Sequence, residues 1–152
     1  MNTLLKILIC FFIVTGTLGG AYAQFDKPED AIKYRQAVMF LIAKHFGRMG
    51  AVVKGQRAYD REEFARNAAL VETLSKLPWE AFMVPGSDKG KTGLKSVAFR
   101  QQAEFNAAAE KFEAEAAKLV KAAGSGDLNA IKAQFGGVGQ SCGACHKEFR
   151  AK

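Results

Sequence analysis

Cys142, Gly143, Ala144, Cys145 and His146 form a C-x-x-C-H run, the pattern through which haem is attached covalently. On a helix, residues three and four apart are neighbours, so Cys142 and Cys145 share a face and His146 lies about one turn beyond Cys142. Two thioethers and one axial nitrogen can then grip a single haem. Two other chemistries use similar residues. A C-G-A-C run also resembles the redox pair of a thiol-disulfide oxidoreductase, but that motif belongs beside a βαβ unit, and nothing strand-like surrounds this one. A zinc site needs four ligands, and outside the first 23 residues only Cys142, Cys145, His146 and His45 are Cys or His. Adjacent Cys145 and His146 would strain to share one tetrahedral ion. Haem attachment is the reading that the motif favours.

The elements that must position these residues read as four helices. Pro28 followed by Glu29 and Asp30 suits a first turn, and Ala31, Arg35, Met39, Ile42, Phe46 and Met49 keep helical spacing until Gly50 interrupts. Asp60 and Glu63 make a capping-box pair, after which Phe64, Ala68, Val71, Leu74 and Leu77 continue the period up to Pro78. Pro85, Gly86, Gly90 and Gly93 mark the stretch from Met83 to Gly93 as the longest loop. The third helix starts near Ser96, presents Phe99, Phe105, Ala109, Phe112, Ala116 and Leu119, and stops at Gly124-Ser125-Gly126. In the last, Asp127 is the N-cap, and Ile131, Phe135, Val138, Cys142, Cys145 and Phe149 fall on one stripe, which puts the motif on the inner face. Gly136, Gly137 and Gly139 weaken that helix by up to about 1 kcal/mol each relative to Ala unless they permit close approach of a ring or a neighbouring chain. A kink there would fit their presence. No window shows the alternation of a strand, so the expected fold is all-α, an antiparallel four-helix bundle with covalently bound haem between its helices.

Lys6, the apolar run from Ile7 to Val14, a glycine-rich stretch and Ala21-Tyr22-Ala23 read as a secretory signal peptide over residues 1–23, cleaved before Gln24. The apolar run is too short to be preferred as a membrane span, and no later segment approaches the needed length. The expectation is a soluble protein of the periplasm with no membrane insertion. Cys10 lies in the middle of the apolar run and not at the cut, which argues against a lipoprotein. Removing 23 of the 152 residues leaves 129, a single domain over residues 24–152. The leader takes with it one lysine and no acid, so the formal charge falls from +7 to +6. That balance can steer the protein toward acidic redox partners or anionic surfaces. Its Lys and Arg residues are scattered among Glu and Asp with no aromatic-interleaved cluster, so nucleic acid is not an expected partner. No hydrolase-type constellation and no Gly-rich phosphate loop is visible, and enzyme activity is not expected.

In the commonest small c-type cytochromes the motif lies near the N-terminus and a Met ligand follows it. Here neither Met nor His follows His146, so any sixth iron ligand comes from upstream. Lys27-Pro28-Glu29-Asp30, Lys33-Tyr34-Arg35-Gln36, His45-Phe46-Gly47-Arg48-Met49, Leu77-Pro78-Trp79 and Cys142 to Arg150 resemble cytochrome c′, the class II c-type cytochromes. The similarity spans essentially the whole mature chain, although the loop from Met83 to Gly93 matches poorly. The resemblance implies a left-handed bundle, commonly a homodimer through its first two helices, with one haem c whose iron is typically five-coordinate and high-spin. It implies that Cys142 and Cys145 attach the haem and that His146 is the axial ligand. It also implies that Arg35 and Gln36 lie near the haem edge and its propionates, that Arg150 is the basic residue beside His146, and that Met39 and Phe82 line the distal face.

Each of these residues also has a plainer use. Arg35 interrupts an apolar stripe one turn before Met39, which is awkward for a charge unless it meets an anion such as a propionate; a snorkelling surface Arg is the alternative. Gln36 fits ordinary exposed polarity, Arg150 a cation complementing a helix C-terminus, and Phe82 plain core in a chain with 12 Phe. His45 lies off the central stripe and is not an expected ligand. Val52 and Val53 are apolar residues outside the core stripes, too few to prove an interface. Met39 is the fork. Its thioether suits haem iron, and His/Met ligation would make a low-spin, six-coordinate electron carrier; Met49 and Met83 are weaker candidates. Unbound, Met39 is a flexible apolar lid. The resemblance favours the five-coordinate form, whose open site would bind the diatomics NO and CO behind Met39 and Phe82, with electron transfer to an unidentified redox partner as well.

Overall fold

A computed structural model describes residues 25–151. The leader, its cut before Gln24 and Lys152 lie outside the described residues. In chain order the elements are α1 (Pro28–Val53), α2 (Arg61–Ser75), a 3-10 turn (Trp79–Ala81), a short α3 (Val97–Arg100), α4 (Gln102–Ser125) and α5 (Leu128–Phe149). The four long helices make the bundle, with α4 packed on α5 and on α2, and α2 on α1. The helix starts follow local chemistry. Pro28 opens α1 with Glu29 and Asp30 in its first turn, where carboxylates complement the helix dipole. Asp60 accepts a hydrogen bond from Glu63 N at 2.7 Å, and Asp127 accepts one from Asn129 N at 2.9 Å, each satisfying a donor that the first turn leaves unpaired.

The core has two parts. Val38, Ile42, Met49, Phe64, Val71, Phe112, Leu119, Ile131 and Val138 fill the bundle interior, each large side chain contributing about 1.5–3 kcal/mol by leaving water. Leu94, Ala98, Phe105 and Phe149 form a second cluster, with Trp79, Phe82 and Cys145 packed against it. The apolar stripes read from the sequence therefore face inward as expected. Among the described residues the one β contact is an isolated antiparallel bridge between Leu94 and Arg150, and no helix is long and apolar enough to cross a membrane.

Several boundaries depart from the periodicity, each for a tertiary reason. Helix α1 passes through Gly50 to Val53 because that glycine lies beneath Phe135, whose ring would stand 3.2 Å from an added Cβ. Phe135 in turn stacks on Phe46, with ring centroids 4.1 Å apart. The break falls instead at Gly55, which has φ of 71°. Val52 and Val53, outside the core stripes, pack half-buried against the core. Helix α2 ends at Ser75, whose hydroxyl donates back to Glu72 O at 2.7 Å, and Leu77 is left 41% exposed. The third predicted helix is two, broken at Gln101 with φ −118° and ψ 54°. Helix α5 runs uninterrupted through its glycines. Gly137 is there for close approach: a Cβ would meet the Glu115 Oε2 of α4 at 2.7 Å.

Candidate cofactor cleft

Between α1, α4, α5 and the turn at Trp79–Phe82 lies a cleft of about 720 Å³, within the range of roughly 300–1,000 Å³ usual for small-molecule and cofactor sites. Helix α5 presents Cys142, Cys145, His146 and Phe149 to it, and α1 presents Arg35, Gln36, Met39 and Ile42. Phe105 and Phe112 of α4 and the side chains of Trp79 and Phe82 close the apolar interior, while Thr92, Gly93, Leu94 and Arg150 complete the lining. Rings meet edge to face through this wall: Phe105 lies 5.2 Å from Phe149, and Trp79 lies 6.0 Å from Phe105, arrangements that match ring quadrupoles. Helical spacing alone turns both cysteines into the cleft, because the apolar residues of α5 at the same period are what the bundle buries.

The electrostatics of the motif bear on its chemistry. Burial pushes the Cys142 thiol up, and the neighbouring Cys145 adds to the shift; burial also raises Cys145. Both sit in the last turns of α5. Reactive thiol pairs are the reverse, with pKa values depressed at helix N-termini or beside cations. The arrangement therefore opposes redox chemistry by this pair. His146 is pushed down, chiefly by burial and then by the charge of Arg150, a shift that favours the uncharged imidazole, the form that ligates a metal. No group of three or more His, Cys, Asp or Glu side chains suited to a metal ion occurs among the described residues, so a protein-only zinc site has no ligand set there.

The cleft brings together Arg35, Gln36, Met39, Phe82, Cys142, Cys145, His146 and Arg150. It does not include His45, whose Nδ1 is 2.8 Å from Asn67 Oδ1, nor Met49, which is 1% exposed in the bundle core, nor Met83, which packs on the second cluster. Met39 is half-buried and lines the cavity. Arg35 is neither snorkelling nor alone. It is 2% exposed, and its Nη1 donates to Ala81 O at 2.8 Å and Ser87 Oγ at 2.9 Å, while Nη2 donates to Ser87 O at 2.5 Å and Thr92 Oγ1 at 2.8 Å. Desolvation lowers its pKa to about 10, opposed by the charge of Asp88; it remains a cation at neutral pH. Gln36 donates to Lys91 O at 3.0 Å and is exposed. Trp79, Thr92, Phe105 and Phe149 join the lining without a role read from the sequence, and Ser87 stands behind it as a partner of Arg35. Phe105 and Phe149 carried a signal, as inward members of the periodic stripes, and Trp79 only as part of the resemblance, but Ser87 and Thr92 sit in an aperiodic loop where only tertiary contact reveals them.

A flat macrocycle with two reactive substituents, two carboxylates and a nitrogen-seeking metal fits this donor set: two thiols on one face, a neutral imidazole beside them, apolar and aromatic walls, and Gln36 and Arg150 among the polar lining. Those are the features of haem. Comparison with known proteins agrees. A family model described as Cytochrome C′ matches residues 30–150. A cytochrome c′ of Rubrivivax gelatinosus is 48% identical over 130 residues, covering 85% of this chain and 100% of its own. The structure of cytochrome c prime from Shewanella frigidimarina matches with a TM-score of 0.82 at 42% identity, over 85% of this chain and 100% of that one. Variants of the cytochrome c prime from Alcaligenes xylosoxidans, solved with nitric oxide and with carbon monoxide, match with a TM-score of 0.79 at 45% identity over 85% of this chain, and over 99% and 100% of theirs.

Proposed function

The chain belongs to the cytochrome c′ family, and from that premise we propose a periplasmic protein that takes up NO and CO at an open iron site and also transfers electrons. The family carries haem c bound covalently. In this chain Cys142 and Cys145 would attach the haem through thioethers and His146 would ligate its iron. Haem held by these residues would supply an iron able to bind diatomic gases. Gln36 and Arg150 suit its propionates, and the cation of Arg35 lies in the same lining. Met39 and Phe82 form the apolar screen over the gas site, which discourages water and anions.

One observation carries this reading: the motif opens into a cleft whose lining, Met39 apart, offers no further His, Met, Cys, Lys or carboxylate side chain to the iron. The solved relatives with nitric oxide and carbon monoxide support the ligand class. The leader over residues 1–23 supports export, and haem delivery to this motif after export fits it. A homodimer through α1 and α2 belongs to the same proposal, supported by Leu41 and Leu70, each 44% exposed. The role is binding and electron transfer and not catalysis.

A second reading rests on the same cleft: Met39 sulfur lines it and is a competent sixth ligand, which would make a low-spin carrier. Absorption spectra of periplasmically matured protein, ferric and ferrous, with and without CO, separate the readings. High-spin bands with ready CO uptake are expected. Low-spin bands without uptake would transfer the assignment to the His/Met carrier, and a colourless protein would overturn both.

A further inference from the structure

A guanidinium that is 2% exposed needs its charge met by fixed partners, since an unpaired buried cation is strongly disfavoured. Those of Arg35 come from one irregular stretch. Its four hydrogen bonds go to Ala81 O, to both oxygens of Ser87 and to Thr92 Oγ1, and its Cζ stands 4.8 Å from the centroid of the Phe82 ring, within cation–π range. Ser87 carries the connection back, because its hydroxyl lies 3.3 Å from Phe82 O. Thr92 carries it forward: Thr92 Oγ1 also accepts from Leu94 N at 3.1 Å. The chain then engages the end of α5. Ala151 N donates to Gly93 O at 2.8 Å, and Lys95 N donates to Phe149 O at 2.9 Å. Lys95 Nζ donates to the carbonyls of Lys147 and Glu148 at 3.1 and 2.9 Å, where a cation also suits the helix C-terminus. A single side chain of α1 thereby joins the Phe82 wall of the cleft to the last turn of α5, beside His146.

We propose that Arg35 is a positioning residue of the gas site: its fork holds Phe82 in the wall and, through Thr92, holds the strap Gly93–Lys95 that clasps the helix end carrying the iron ligand. The proposal rests on the gas-binding reading above. It differs from the use of Arg35 as a counter-charge for the haem propionates, because Lys would preserve a charge but not a planar fork that serves four acceptors. Thr92→Val removes one acceptor at nearly constant shape and leaves the guanidinium in place.

The test uses the haem-loaded protein with Arg35→Lys, Thr92→Val, Phe82→Ala and the double variant Arg35→Lys with Phe82→Ala. Amide hydrogen exchange at Leu94, Lys95 and Ala151 should quicken by about fivefold or more in Thr92→Val, the scale of one lost hydrogen bond, and by more in Arg35→Lys. CO association after photolysis should change by about threefold or more in Arg35→Lys, and that change should largely vanish in the Phe82→Ala background, since residues acting through one another are non-additive. A role confined to folding would not produce that dependence on Phe82. Exchange and CO kinetics that stay within about twofold of the parent in both Thr92→Val and Arg35→Lys, below one hydrogen bond, would overturn the proposal; so would an additive double variant. Should Arg35→Lys not fold, Thr92→Val decides the strap and Ser87→Ala combined with Phe82→Ala decides the wall. Failure of the parent itself to take up CO would instead sink the gas-binding reading, and the exchange measurements would still judge the strap.

Discussion

A thioether at Met39 can bind iron or merely cover it, and the two uses leave different traces. The side chain is half-buried and packs against the bundle core while lining the cleft, which suits a flexible apolar screen. Met39→Ala should leave the ferric spin state unchanged and raise CO or NO affinity by roughly tenfold, in line with the ~1–2 kcal/mol that the packing of one apolar side chain is worth. Conversion of a low-spin ferric spectrum to high spin in that variant would show instead that the sulfur had been a ligand. Arg35 shows the limit of reading single residues. A charge on an apolar stripe needs partners, and that much is plain from its position, but the carbonyl and hydroxyl groups it meets lie 46 to 57 residues away in sequence, where no periodicity points to them.

At the scale of elements, the contact between α4 and α5 depends on Gly137 and Glu115. Glu115 is 6% exposed and accepts from Lys111 Nζ at 2.7 Å, Lys118 Nζ at 3.0 Å and Gln134 Nε2. These bonds, Lys111 first, hold its carboxyl down at about 2. A carboxyl more acidic folded than unfolded adds stability above its ordinary pKa and loses it as the pH falls through the folded value. The protein should therefore lose stability between about pH 4.5 and about pH 2 on account of this group, and urea unfolding of Glu115→Gln at pH 6 and pH 3 should show a smaller decline than the parent. Gly137→Ala would gain up to about 1 kcal/mol of helix propensity, but its methyl would meet the pinned carboxylate. The net expectation is destabilisation by about 1–2 kcal/mol, the scale of overpacking. In a Glu115→Ala background the same substitution should turn stabilising, which thermal unfolding of the four proteins would check.

For the whole molecule, the arrangement of helices leaves apolar side chains outside as well as a cleft inside. Leu41 and Leu70, on the outer faces of α1 and α2, have no core to join, and a second copy of the chain would cover them in the proposed homodimer. Leu70→Glu should shift that dimer to monomer at micromolar concentration in sedimentation experiments, with the CO-binding spectrum retained; an unchanged mass would place the interface elsewhere. Much of this architecture is legible in the residues alone. Helical periodicity reports which face is buried, and the spacing of Cys142, Cys145 and His146 reports a chemistry, because both are properties of local geometry that repeat along a chain. The all-α bundle and the inward motif follow from such periods, and the caps at Asp60 and Asp127 from residue type beside the first turn. What only the tertiary structure decided are the relations between distant segments: α1 running past Gly50 beneath Phe135, the break at Gln101, Val52 and Val53 resting half-buried against the core, and the loop from Ser87 to Lys95 tied to Arg35 on one side and to the end of α5 on the other. Close approach and hydrogen bonds across the bundle depend on where helices come to rest against one another, and no local period encodes that.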